Sequence, residues 1–370
     1  MIKYIRIKAI ALKELIQIRR DPLSLSIAFL MPVMQLFIYG YAITFDVNNI
    51  TTVVYDRDRS SLSRELVSEF RESGYFSIVN YIEGYHDIDE SIASNSAKVA
   101  LIIPEDFSKD VRAGRHAQVG VIIDGSDSNT ATIAGGYIEA ISALFARRTG
   151  TSIEPAIEVR SRVWYNPELK SRNFIIPGLI VVIMAVIVAL LTSLTVAREW
   201  ERGTMEQLIS TPVRPAEIVI GKLIPYFAIG FIDLVLAITA GVFVFGVPMQ
   251  GSPLLLIGLS SIFVFGGVSF GILISINAGG SQAVASQLAL LSSFLPAFLL
   301  SGFMFAISNM PKPLQLVTYI IPARYFVTIS KGIFLKGSSF GMLLLETALL
   351  SLFAAVVFTA AVKRFRKKFG

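Results

Sequence analysis

Cysteine is absent from this chain of 370 residues, and charged side chains are scarce. Without cysteine, disulfides cannot hold any part of the protein together, and thiol redox chemistry is excluded. Charged residues make up 16% of the sequence, whereas a soluble domain carries about 25%. Hydrophobic residues reach 54%, and the mean hydropathy is +0.65. This composition points away from a soluble protein and towards a membrane protein.

Histidine is almost absent as well. His86 and His116 are the only two histidines, and both lie in candidate loops, where a solvated side chain is the ordinary state. The segment Asp124–Asp127 lacks the spaced oxygens and terminal glutamate of an EF-hand, and a turn into the next helix explains it better. We therefore predict no catalytic residue, no metal site and no bound cofactor in this chain.

A phosphate-binding loop of the form Gly-x-x-x-x-Gly-Lys-Ser/Thr is also missing. Gly221-Lys222 is followed by Leu223, and the first glycine of the pattern is absent. The chain cannot hold a nucleotide by that device. If the protein uses ATP, both ATP and Mg must bind to another polypeptide.

Long apolar runs dominate what is present. A helix needs about 20 residues to cross a bilayer, and six windows are long enough. The predicted spans are Leu23–Phe45, Phe174–Val196, Leu223–Val247, Leu254–Ile276, Val284–Ile307 and Gly341–Val362. The first run is too long for the apolar region of a signal peptide, so we interpret it as an uncleaved span. These runs predict an α-helical polytopic membrane protein.

The distribution of positive charge predicts the orientation. Residues 1–22, the loop between the second and third spans and the tail 363–370 together hold 15 Lys and Arg against 6 acids. Residues 46–172 hold 14 Lys and Arg against 19 acids. Because basic loops stay in the cytoplasm, both termini are predicted to be cytoplasmic and residues 46–172 extracytoplasmic. The six-span count places loop 308–340 outside the cytoplasm, although its positive charge favours the cytoplasmic side.

Residues 46–172 alternate between strand and helix patterns, which predicts an inserted α/β domain. The predicted strands are Thr51–Tyr55, Phe76–Tyr81, Val99–Ile103, Val119–Asp124 and a last one near Ile157–Tyr165. Helices are expected from Ser61 to Gly74 and over Asp87–Asn95, Glu105–Ala113 and Asn129–Arg148. The rest of the chain, residues 173–362, holds spans two to six with short connections.

A charged, amphipathic segment, Arg198–Leu208, lies between spans two and three, in a short loop confined to one membrane face. It belongs to one of four blocks that resemble permease subunits of type-2 ATP-binding-cassette (ABC) exporters. The resemblance is greatest to a multidrug-efflux-like subgroup with a large extracytoplasmic domain after the first span. The blocks are Lys13–Pro22 followed by Pro32 and Tyr39-Gly40-Tyr41, Asn173–Gly178, Arg198–Pro225, and Ser301–Phe305 continued through Met310-Pro311 to Ile321–Phe326.

The resemblance implies specific roles for these segments. Residues 1–22 would be an interfacial helix, and residues 198–210 a coupling helix that docks on a cytoplasmic ATPase subunit. The coupling residues would be Glu199, Trp200, Glu201, Arg202, Gly203, Thr204, Met205, Glu206 and Leu208. Region 308–340, with Pro311, Pro322 and Arg324, would form short external helices that dip back towards the membrane.

The resemblance also implies partners and a location. The chain would pair with a second permease, identical or homologous, and with ATPase subunits that bind ATP and Mg. A periplasmic adaptor stays open as a further partner, and no nucleic acid is expected. The complex would lie in the bacterial inner membrane and export a hydrophobic or amphipathic compound, drug-like or lipid-like.

Asp233 supports an alternative function. An ionisable side chain within a span is costly, and it faces either a partner or a water-filled path. It could be a proton or cation site of a secondary transporter, or it could form a hydrogen bond between helices. The halves of the chain show no matching broken helices and no second acid at that depth, which disfavours the transporter. A membrane receptor is a further alternative, but no cytoplasmic signalling domain is present.

The orientation can be tested because the chain has no native cysteine. A cysteine introduced as Ser126→Cys should react with an impermeant thiol reagent in intact cells, since the charge balance places residues 46–172 outside. Protection of that cysteine until the cells are lysed would overturn the predicted topology.

Overall fold

The structure is a computed structural model, and it describes residues 3–42, 49–94, 96–115, 117–125, 128–149 and 170–365. The chain divides into two compact units. The first unit combines Met1–Ile43 with Trp164–Gly370, and the second comprises Thr44–Val163. The second unit is therefore inserted in the sequence of the first.

The chain begins with helix α1 and a second, apolar helical segment. The successive elements are α1 (Tyr4–Arg20), α2 (Pro22–Leu25), a π-helical turn (Ser26–Leu30) and α3 (Met31–Ala42). The backbone is helical without interruption from Pro22 to Ala42, which covers most of the predicted first span. Residues 43–45 of that span lie outside the described residues.

The inserted unit contains a mixed sheet with helices between its strands. In order, its elements are β1 (Ile50–Asp56), α4 (Ser61–Glu72), β2 (Phe76–Tyr81), α5 (Tyr85–Ala93), β3 (Val99–Ile103), α6 (Phe107–Arg112), β4 (Gly120–Ile123) and α7 (Ser128–Arg148). Within the described residues the sheet has four strands in the order β2-β1-β3-β4. Strand β1 is parallel to β2 and β3, whereas β4 is antiparallel to β3.

The local signals in this unit match the structure closely. Strands β2 and β3 have the predicted bounds, and β1 and β4 differ from prediction by one residue at their ends. Ser60 caps α4 by accepting a hydrogen bond from the Ser63 amide at 3.1 Å. The predicted strand near Ile157–Tyr165 lies outside the described residues.

The remaining helices follow in the first unit. They are α8 (Ser171–Glu201), α9 (Thr204–Ser210), α10 (Pro215–Phe243), α11 (Pro253–Asn277), α12 (Gln282–Leu299), α13 (Lys312–Thr318), α14 (Pro322–Lys331) and α15 (Leu344–Arg364). Among the described residues, five helices are long and apolar enough to cross a membrane, and the apolar helix Ser26–Tyr41 is shorter. The chain is therefore predominantly helical, with the character of a multi-pass membrane protein.

Helix α8 lies at the centre of the first unit. In the most apolar 18-residue stretch of α8, 89% of the residues are buried, whereas in the corresponding stretches of α12 and α15 only 22% are buried. A helix that is apolar on every face lies either in a protein core or among lipids, and the burial of α8 places it in the core. Small residues allow close approach of its neighbours: a Cβ on Gly267 or Gly230 would come within 3.2 Å of Val188.

Two predicted spans have different ends in the structure. Helix α10 begins at Pro215, eight residues before the predicted Leu223, because Glu217 and Lys222 find partners and need not lie in a loop. Helix α12 ends at Leu299 and not at Ile307. The chain turns there at Gly302, whose φ of 81° is left-handed and favours glycine.

The segment after α12 forms short helices, as expected for region 308–340. Pro322 occupies the first turn of α14, and Pro311 precedes α13, so these prolines begin helices and do not interrupt them. Arg324 is satisfied locally: its guanidinium lies 3.8 Å from the centre of the Tyr319 ring and donates to Thr318 Oγ1.

This segment is fastened to the N-terminal part of α8. Ser330 Oγ donates to the Pro177 carbonyl at 2.9 Å, and Lys331 Nζ lies 3.4 Å from the centre of the Phe174 ring. Gly178 faces the buried ring of Phe303, and a Cβ there would overlap that ring. The absence of a side chain at Gly178 therefore allows the segment to contact α8.

Gly178→Ala should destabilise the protein, because the added methyl overlaps a buried ring that has little room to move. Overpacking of this kind costs about 1–3 kcal/mol. Thermal unfolding in detergent should show a lower midpoint than for wild type. Phe303→Leu in the same chain should restore part of the loss. Gly258→Ala is the control, since a Cβ there meets open space. Equal midpoints for the two single variants would contradict the packing account.

Candidate functional site at the charged end of the helix bundle

A buried group of charged side chains joins α1, α8 and α10. Lys222 of α10 is 0% exposed, and its Nζ lies 2.6 Å from Glu14 Oε1 of α1. The same ammonium pairs with Glu199 Oε2 of α8 at 3.0 Å. Tyr226 donates a hydrogen bond of 3.2 Å to Glu14 Oε2. One buried lysine thus connects three helices.

Further ion pairs surround this group. Lys13 of α1 pairs with the other oxygen of Glu199. Asp21, which follows α1, lies 2.7 Å from Arg198 Nη1. Arg198 Nε also donates to Gln282 Oε1 at 3.2 Å, which ties the end of α8 to the start of α12. Helix α1 is therefore attached to the last turn of α8 at several points.

Glu217 holds the other end of α1. Its Oε2 caps α10 by accepting from the Arg214 amide at 2.8 Å. Its Oε1 accepts from the Lys3 amide at 2.8 Å, and Arg6 Nη1 lies 3.4 Å from Oε2. A single buried carboxylate therefore caps α10 and fixes the beginning of α1. We define the coupling cluster as Glu14, Glu199, Lys222 and Tyr226 together with Lys13, Asp21, Arg198 and Glu217.

The sequence brings these helices together through an apolar stripe and a glycine. Ile7, Ile10, Glu14 and Ile18 are the buried residues of α1, and their spacing of three and four places them on one face. Gly221 lies under this face: a Cβ there would come within 2.7 Å of Ile10 Cβ. The close crossing at Gly221 brings the adjacent Lys222 to Glu14.

The charges of the coupling cluster make its contacts specific. Desolvation makes a buried ion pair a weak source of net stability, yet removal of one partner commonly costs about 3–5 kcal/mol because the other stays charged and buried. Lys13 and Lys222 balance Glu14 and Glu199 in formal charge. The cluster therefore favours one arrangement of α1, α8 and α10 over displaced ones.

The structure divides the predicted coupling helix 198–210 in two. Residues 198–201 form the last turn of α8, and α9 begins at Thr204, as Gly203-Thr204 followed by Glu206 predicts. Gly203 connects the two helices with a φ of 70°, a left-handed conformation that favours glycine. The turn redirects the chain, so α9 is a separate short element.

The predicted coupling residues lie on two sides of this turn. Glu199 is 2% exposed and binds lysines of its own chain, and Met205 is 1% exposed, so neither is on the surface as the docking prediction required. Leu208 is half-buried. The exposed residues are Trp200, Glu201, Arg202, Gly203, Thr204 and Glu206, together with Gln207. Glu201 accepts hydrogen bonds from Gln282 at 3.0 and 3.1 Å.

Asp233 lies apart from the coupling cluster. It is 2% exposed, and among the described residues neither carboxylate oxygen has a hydrogen-bond partner. It borders a cavity of about 20 Å³ that is also lined by Pro32 and Leu36 of the first apolar segment. The interhelical hydrogen bond considered from the sequence is not formed within the part of the chain that the structure describes. A cavity of this size has room for about one water molecule.

The sequence prediction missed Glu14, Lys222, Tyr226 and Glu217 as a connected group. One signal was available: Glu14 occupies the apolar stripe of α1, where a carboxylate needs a partner. The partner could not be identified, because Lys222 is separated from Glu14 by 208 residues. No group of residues that could hold a metal ion occurs within the described ranges.

These features define a multi-pass membrane subunit whose exposed short helix is built onto a charged cluster. A family profile described as ABC-2 family transporter protein matches residues 23–363, and the chain belongs to that family. The chain is thus the membrane subunit of an ABC transporter, and this class of permease works with an ABC ATPase.

Individual relatives agree with the family. The chain is 39% identical to the probable multidrug ABC transporter permease YbhS of Escherichia coli K12, over 95% of this chain and 94% of that protein. It is 32% identical to the probable multidrug ABC transporter permease YbhR of the same organism, over 96% and 97%. Identity to the inner membrane transport permease YhhJ of that strain is 27%, over 98% and 97%. The resemblance inferred from the four sequence blocks is confirmed.

Lys222→Met should destabilise the protein by about 3–5 kcal/mol, because it leaves Glu14 without its ammonium partner inside the bundle. Glu14→Leu added to Lys222→Met should recover part of the loss by removing that carboxylate. Thermal unfolding in detergent measures both effects. Lys8→Met, at an exposed position of α1, the helix that carries Glu14, is the control and should change the midpoint little. Similar midpoints for Lys222→Met and Lys8→Met would contradict the account.

Asp233→Asn should leave folding and substrate transport intact, because the amide has the same shape and removes an acid that lacks a described partner. Unfolding midpoints and transport assays in cells are the measurements. Asp21→Asn is the matched control and should lower the midpoint, since it weakens the pair with buried Arg198. A folded Asp233→Asn variant without transport would favour the ion-coupled alternative.

Proposed function

We propose that this chain is the permease subunit of an ATP-driven exporter that moves a hydrophobic or amphipathic compound out of the cytoplasm or the inner leaflet. A separate ATPase subunit binds ATP and Mg and docks on the exposed face of α9 and the end of α8. We name this face the docking face and define it by Trp200, Glu201, Arg202, Glu206 and Gln207. Both termini are cytoplasmic in this proposal, and the inserted unit lies outside the inner membrane.

The continuity of α8 carries the proposal. Its 31 residues extend about 47 Å at 1.5 Å per residue, enough to cross the bilayer. One end carries the coupling cluster and continues through Gly203 into α9. The other end receives Ser330 at Pro177 and the Phe303 ring at Gly178. A displacement of α9 would therefore be transmitted along α8 to α14 and to Phe303.

The attachment of α9 supports this transmission. Met205 and Ile209 of α9 are buried and α9 packs on α8, so a displacement of α9 would act on α8. The coupling cluster adds α1 to the same body. Closure of two ATPase domains on the docking faces of two permeases would bias these helices between two packed arrangements.

A second permease, identical or homologous, belongs to the proposal. Helix α12 exposes a stripe of apolar side chains spaced three or four residues apart, typical of a helix-packing surface. The stripe consists of Val284, Leu288, Leu291, Leu295 and Leu299. A translocation path between two such subunits would be lined by apolar helices, which favours apolar or amphipathic cargo.

The inserted unit would contact partner proteins outside the membrane. Its mixed sheet and helices form their own core, around residues such as Val54, Leu101 and Phe107. A periplasmic adaptor is one partner it could accommodate, and the proposal leaves its presence open. The names of the relatives describe multidrug transport for those proteins; for this chain a drug-like or lipid-like cargo is proposed.

Glu206→Lys should weaken docking of the ATPase. Glu206 is exposed on α9, and reversal of its charge at an interface removes a pair and adds repulsion. We expect the ATPase that co-purifies per permease to fall by roughly tenfold, which corresponds to about 1.4 kcal/mol. Extrusion from cells should fall with it, while the amount of permease in the membrane stays unchanged.

Glu65→Lys is the matched control for this experiment. It reverses another exposed glutamate, on α4 of the inserted unit, so it should leave ATPase association unchanged. Unchanged association and transport in Glu206→Lys would place the coupling site elsewhere on the permease.

A further inference from the structure

A cavity of about 250 Å³ lies among α8, α11, α12, the start of α14 and α15. Its wall on α8 is formed by the small side chains of Ala185 and Ala189. The phenyl rings of Phe263, Phe270 and Phe353 also line the cavity. The cavity therefore lies against the helix that connects α9 with the segment around α14.

The polar groups in the lining are already satisfied. Ser292 Oγ donates to the Leu288 carbonyl at 2.5 Å, and Ser293 Oγ donates to the Ala289 carbonyl at 2.6 Å. Among the described residues that line the cavity, no side chain carries a formal charge. Water in a cavity needs two to four polar partners, and these walls offer few, so the cavity favours an apolar occupant over ordered water.

We propose that this cavity binds an uncharged aromatic ligand of about two rings. An apolar cavity of about 150 Å³ in a protein core stays dry and accepts one benzene molecule, so the larger volume here suits a bicyclic ligand. Phe270 and Phe353 lie 6.3 Å apart with their planes at 53°, and one face of Phe263 stacks on Phe326 at 4.4 Å. The remaining ring surfaces offer edge and offset contacts to a flat ligand.

Entry is possible from the surface of the unit. Ser292 is exposed on α12, and Ile320, which precedes α14, is 77% exposed, so the lining includes side chains that reach the outside. Ile321 and Ala323 of the same segment are buried in the lining. Movement of α14 relative to α8 would change the width of the cavity. Assignment of the ligand as transported cargo rests on the proposed function, whereas binding itself does not.

Benzophenone is a suitable probe, because it is uncharged, has two rings and forms covalent bonds to C–H groups when irradiated. The permease would be purified with its ATPase in lipid nanodiscs and labelled without nucleotide over a range of benzophenone concentrations. Peptide mass spectrometry should find saturable labelling in α8, α11, α12, residues 320–323 and α15. Unlabelled naphthalene should compete, and 4-benzoylbenzoate, which carries a charge, should label these peptides far less.

Two substitutions on α12 test the location. Ser292→Phe places a ring in the exposed mouth and should weaken saturable labelling by at least about tenfold. Leu291→Phe adds a ring at the adjacent position, which is 61% exposed and outside the lining, and should leave labelling unchanged. Equal labelling of the two variants, or non-saturable labelling spread over exposed apolar faces, would overturn the proposal.

The same preparation distinguishes an aromatic ligand from a lipid acyl chain of the bilayer. If lipid mass spectrometry detects an acyl lipid that Ser292→Phe removes and naphthalene does not displace, the cavity holds a bilayer acyl chain and the aromatic assignment is wrong. Neither variant touches the docking face, so co-purified ATPase should stay at the wild-type level. Failure of labelling with normal ATPase association therefore rejects the cavity proposal alone.

Discussion

The ion pairs of Lys222 with Glu14 and Glu199 are the interaction on which the rest of the site depends. They lie where α1 crosses α10 at Gly221 and where α8 ends. Because each charge is buried, an arrangement that separates them leaves an uncompensated ion in an apolar setting. The pairs therefore fix the base from which α9 projects. Ion pairs that contribute little net free energy of folding can still favour one arrangement of these helices over displaced ones.

Helix α8 converts that local geometry into a property of the whole bundle. It is buried along most of its length, and the α-helix is continuous from Pro177 to Glu201. Its two ends make different contacts. Arg198 and Glu199 form ion pairs at one end. At the other end the Pro177 carbonyl accepts a hydrogen bond and Gly178 contacts the Phe303 ring. Packed interfaces of this kind switch between discrete arrangements and do not deform continuously.

Much of the architecture could be predicted from the sequence, because hydrophobic periodicity and turn residues act locally. The apolar runs located α8, α11 and α15, and the alternation in residues 49–125 located β1 to β4. The limits of α10 and α12 were wrong, since charged residues at the start of α10 are stabilised by distant α1 and a glycine turn ends α12 early. Glu199 and Met205 were assigned to a docking surface from the resemblance of residues 198–210 to a coupling helix, but both side chains are buried within the chain.

The most direct test of the coupling account is crosslinking from α9 in membranes that contain the permease and its ATPase. A short photoreactive crosslinker attached to Gln207→Cys should yield a covalent permease–ATPase product, because Gln207 is exposed next to Glu206. The same reagent on Glu65→Cys, in the inserted unit, should yield none. A product from Glu65→Cys, or the absence of any product from Gln207→Cys in assembled complexes, would contradict the account.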